Sequence, residues 1–134
     1  MPYDDPDILH VLRAELAFLD SGGYERNVPR WRAGLFFEDS PHCPNNAAPE
    51  HQRPCTECLF TRLVPRQARF ARVPCRHISL DATGVTLDDL YRSASYEETK
   101  QTVRFWLVNT IAQMETSANA AAMHSDTLAR VAKA

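Results

Sequence analysis

No apolar run in this 134-residue chain approaches the roughly 18 residues that a membrane-spanning helix needs. No membrane-spanning helix is therefore expected. Residues Met1-Pro2-Tyr3-Asp4-Asp5 are acidic and lack the positive and apolar regions of a secretory signal, so a cytoplasmic protein with reduced thiols is expected. The chain contains no H-E-x-x-H, no C-x-x-C-H, no phosphate loop, no dinucleotide fingerprint and no nucleophile elbow. Metalloprotease, c-type haem and nucleotide-enzyme readings therefore have no motif to stand on. Internal repeats are absent, and the net charge of −2 rules out a polycation as a whole. The length suits one domain, and an apolar fraction of 44% is enough for a core.

Cysteine is scarce and concentrated. The four present are Cys43, Cys55, Cys58 and Cys75, spaced C-x11-C-x2-C-x16-C within 33 residues. Four thiols are the number that closes a tetrahedral site or holds an iron–sulfur cluster. The Cys55–Cys58 knuckle folds two sulfurs to one side of a turn, and the outer cysteines arrive from elsewhere. Pro44, Pro54 and Pro74 each adjoin a cysteine and hold it in extended or turn conformation. A second C-x-x-C, expected of a zinc ribbon or a rubredoxin-like site, is missing. Structural zinc is the first expectation and a [4Fe–4S] cluster the alternative. Two disulfides would require an oxidising compartment. His51, or His77 two residues after Cys75, is a conceivable replacement for one cysteine ligand. Glu57, inside the knuckle, is the only carboxylate placed to act as a base at such a centre, and nothing else marks catalysis.

Charge is the second feature. Between Arg53 and Arg76 lie six arginines against one acid, Glu57, a local +5 on a slightly acidic chain. Arg66, Arg69 and Arg72 are the candidates for binding an anion or nucleic acid. Pairing with acidic patches, or neutralising metal-bound thiolates, is the competing use for the same side chains.

Hydrophobic spacing supplies the framework. Ile8, Leu9, Leu12, Leu16 and Leu19 form a helical stripe that begins at Asp5-Pro6 and ends at Gly22-Gly23, predicting a helix over 6–20. Ser95-x-x-Glu98 is a capping box ahead of Val103, Trp106, Leu107, Ile111 and Met114, predicting a helix over 96–116. These helices should share a core. A strand is expected over 33–38, a hairpin or a strand followed by a turn around Asp81-Ala82-Thr83-Gly84, and two helical turns over 65–73. The composite expectation is an α+β domain over 1–116 with an Ala-rich helical extension or tail over 117–134. It reads as a non-catalytic, metal-stabilised binding or regulatory module with an unidentified protein partner, or a second copy of itself, as its contact.

Overall fold

A computed structural model describes residues 6–26, 28, 31–43 and 58–133, with the side chains of the last helix described as far as residue 119. Helix α1 spans Pro6–Asp20 and is followed by the short α2, Gly23–Arg26. Three single-turn 3-10 segments come next, at Leu59–Leu63, Arg66–Ala68 and Pro74–His77. Helix α3, Leu87–Ser93, and helix α4, Tyr96–Lys133, complete the chain. At ~1.5 Å per residue, α4's 38 residues reach about 57 Å.

The two long helices pack against each other and run antiparallel. Arg13 pairs with Glu115 (2.8 Å), Asp20 with Arg104 (2.9 Å) and Glu25 with Lys100, so advancing along one end of the chain retreats along the other. Their shared face buries Ile8, Leu12, Leu19, Val103, Trp106, Leu107, Ile111 and Met114, while Leu16 is half-buried at its edge. The expected Ser95–Glu98 box is formed in both directions: Glu98 N–H donates to Ser95 Oγ (3.1 Å) and Ser95 N–H to Glu98 Oε1 (3.3 Å). Gly22, at φ 81°, takes the left-handed position that ends α1. Asp5, the expected N-cap, lies outside the described residues.

The α+β expectation is overturned, because the described residues are helical and contain no strand. The segment expected as a strand over 33–38 curls into turns. Phe36 and Phe37 are both fully buried, although neighbours on a strand face opposite ways. Phe37 turns inward by adopting φ 68°, a left-handed conformation that a bulky residue keeps only where its surroundings over-determine it. The expected hairpin is reduced to a turn with two backbone bonds, Leu80 N–H to Val85 C=O (2.8 Å) and Gly84 N–H to Asp81 C=O (3.1 Å). Within that turn the Asp81 carboxylate accepts from Thr83 N–H (2.8 Å) and Thr83 Oγ1 (2.6 Å). No ladder extends from it, since Ile78 leaves a 3-10 turn and Leu87 enters α3. The arginine segment 65–73 likewise forms a 3-10 turn and bends instead of two turns of α-helix.

Candidate metal centre

Three of the four cysteines arrive at one cavity from three separate segments. The cavity has a volume of about 330 Å3, and Cys43, Cys58 and Cys75 all line it. Its other walls include Leu35, Phe37, Phe60 and Val73, with Glu38, Asp39, Thr61 and Arg72 contributing polar atoms. The three cysteines are half-buried thiols, not disulfides.

Local structure fixes each approach. Cys43 closes a chain of turns: Asp39 N–H donates to Leu35 C=O (2.9 Å), Ser40 N–H to Phe37 C=O (3.3 Å) and Cys43 N–H to Ser40 C=O (3.1 Å). The Asp39 carboxylate braces the start of these turns, accepting from Leu35 N–H (2.6 Å) and from both Arg32 guanidinium nitrogens (2.6 and 2.9 Å). Gly34 permits the chain to pass beneath α2, because a Cβ there would stand 2.5 Å from the Tyr24 carbonyl oxygen. Cys58 is in extended conformation and its carbonyl accepts from Thr61 N–H (3.1 Å), starting the first 3-10 turn. Cys75 follows the buried Pro74, whose fixed φ suits the opening of a helical turn. The next residue, Arg76, anchors that turn with two bonds to Glu38 (2.9 and 3.0 Å) and lies over the Tyr91 ring at 5.4 Å. Burial pushes the Tyr91 hydroxyl well above the ordinary tyrosine range, while its oxygen accepts from Phe36 N–H (2.9 Å).

Beside Cys43 lies a polar network that the sequence pattern did not announce. Glu15 is fully buried on α1. Its carboxylate accepts from Tyr24 OH (2.6 Å) and from Ser40 Oγ, and contacts His42 Nδ1 at 2.9 Å. The Tyr24 oxygen in turn accepts from Phe37 N–H (2.9 Å), and burial, reinforced by Glu15, drives the Tyr24 hydroxyl far above its ordinary value. The network ties the Cys43 turn to the helical core. One clue was available in advance: Glu15 falls on the stripe between Leu12 and Leu19, where an acid requires partners.

Among the described residues no group of three or more His, Cys, Asp and Glu side chains is arranged to hold a metal ion by itself. Cys55 and His51 lie outside the described residues, as does Glu57. The donor chemistry fits a thiolate site, with three cysteines at one cavity and the fourth only three positions before Cys58 in the chain. His77 does not line the cavity, which removes the observation that would favour it as a substitute ligand.

The arginines divide into two groups. Arg76 is committed to Glu38. Arg66 and Arg72 are exposed and Arg69 is half-buried, and none of the three pairs with a carboxylate among the described residues. Arg69 instead donates to the carbonyls of Val64 (2.9 Å) and Arg62 (3.2 Å), which keeps its charge uncompensated. Arg72 lines the cysteine cavity. No helix among the described residues is long and apolar enough to cross a membrane. Comparison of the chain with protein-family models, with curated proteins and with solved structures finds no match, so the reading of this centre stands on its own residues.

Proposed function

We propose that the chain is a non-catalytic, metal-stabilised binding or regulatory module of the cytoplasm, in which Cys43, Cys55, Cys58 and Cys75 hold a structural zinc ion. The observation that carries this reading is the convergence of Cys43, Cys58 and Cys75 on one cavity. Four thiolates around Zn2+ carry a net charge of −2, and Arg72, which lines the cavity, lowers the cost of that charge. A closed four-thiolate site leaves no open coordination position, so it organises loops and does not turn over substrate. The partner is a second protein, another copy of the chain, or a ligand of the arginine face.

A [4Fe–4S] cluster with a redox or sensing role is the second reading, and one observation favours it. The cavity's ~330 Å3 exceeds the space of a single ion, and its walls are largely apolar. Purification without air followed by elemental analysis and an absorption spectrum separates the two. A colourless protein with one zinc per chain supports the module. A brown protein with four irons supports the cluster, and a protein devoid of both contradicts the metal centre.

A further inference from the structure

We propose that the turn carrying Arg66, Arg69, Phe70 and Arg72 is a binding surface for single-stranded nucleic acid. The inference names a ligand for the arginine face of the module described above, and its geometry does not depend on which metal the cysteines hold.

The first observation is an imbalance. Residues 58–77 contain five arginines and no acid. Elsewhere most described arginines meet a carboxylate: Arg13, Arg32, Arg92 and Arg104 do, as does Arg76 within the segment, while Arg26 donates to the Ser21 carbonyl. Arg66, Arg69 and Arg72 do not, so three positive charges concentrate on one short turn.

Backbone geometry aligns them. Ala68 N–H donates to Pro65 C=O (2.9 Å), Arg69 N–H to Arg66 C=O (3.4 Å) and Ala71 N–H to Ala68 C=O (3.1 Å). This is a 3-10 bonding pattern with about three residues per turn and ~2 Å rise per residue. Arg66 and Arg69 are therefore eclipsed, about 6 Å apart along the axis, and Arg72 lies three residues further on, where the chain bends out of the 3-10 pattern. A row of cations at that pitch suits the backbone of an extended strand.

The ring decides between partners. Phe70 is 90% exposed in the middle of this row. An acidic peptide would use the arginines and leave the ring in water. A single strand offers unpaired bases that stack on an aromatic face while arginines track the phosphates. A duplex hides those faces, and the turn presents no helix long enough to enter a groove.

The test is fluorescence anisotropy of the full chain with labelled 15-mers of dT and rU, a 15-base-pair duplex and an oligoglutamate peptide. Single strands should bind more tightly than duplex or peptide. Three phosphate contacts predict roughly twentyfold weaker binding at 200 mM than at 50 mM salt. Arg66→Glu should weaken binding with a shallower salt slope, and Phe70→Ala by about fivefold or more. Both side chains lie outside the cysteine cavity and the core, so circular dichroism and metal content should match the parent chain. If metal is absent yet the strand binds, this inference survives and the metal reading falls. No binding at 50 mM salt, equal binding of the oligoglutamate, or full affinity in either variant would overturn it.

Discussion

Tyr24 shows how a single hydroxyl joins the core to the candidate centre. Its OH donates to buried Glu15 and accepts from Phe37 N–H. Tyr24→Phe should leave a buried amide and a carboxylate oxygen each short of a partner, costing about 1–3 kcal/mol. The cost is read as a lower urea midpoint at unchanged slope. Asp39 gives a pH-dependent counterpart. Burial raises its carboxyl, but hydrogen bonds from Arg32 and Leu35 N–H outweigh that and hold it below the ordinary value. A carboxyl depressed in the folded state contributes stability above its unfolded value and loses it as pH falls through the folded one. The stability gap between the parent chain and Arg32→Gln should thus be present at neutral pH and shrink below about pH 4. Urea titrations of both proteins across that range check it. These partnerships were not legible in the sequence. Glu15 meets residues 9, 25 and 27 positions away, and only its place on an apolar stripe hinted at them.

At the scale of elements, the helices were legible, and the expected strands do not form among the described residues. Both α1 and α4 advertise themselves through 3.6-residue periodicity, and the Ser95–Glu98 box places the start of α4. Leu107, fully buried between them, should cost about 2–5 kcal/mol on change to alanine. By contrast, Thr86→Ala removes an exposed cap from α3, where Thr86 and Asp89 form a reciprocal box, and should cost only ~1 kcal/mol. Thermal or urea unfolding of the two variants should rank them in that order. The segment 33–38 misleads because its aromatic content resembles a strand, while its conformation is set by distant partners. Phe37 packs on Phe60 at 4.7 Å and on Trp106 at 5.8 Å, and those contacts override alternation. A similar override limits Ile78–Leu87, where the Asp81 turn forms but the flanking residues are claimed by helical turns.

For the molecule as a whole, two long antiparallel helices support a set of short turns, and Cys43, Cys58 and Cys75 line one cavity among those turns. The count and spacing of the cysteines were legible; that Cys43, Cys58 and Cys75 line one cavity is a finding of the structure, and among the described residues they do not form a ligand group by themselves. What remained hidden was how Asp39 and the Glu15 network brace the turn that carries Cys43, and how Arg76 braces the turn that carries Cys75. Thiolate ligation couples these turns, so a strong chelator should lower the melting temperature of the parent chain and leave that of a fully cysteine-free variant unchanged. Metal content of air-free purified protein, measured for the parent chain and for Cys43→Ser, Cys55→Ser, Cys58→Ser and Cys75→Ser, addresses the central claim most directly. The account predicts one zinc per parent chain and a substoichiometric amount in every variant. A metal-free parent chain, or full zinc retained in all four variants, would contradict it.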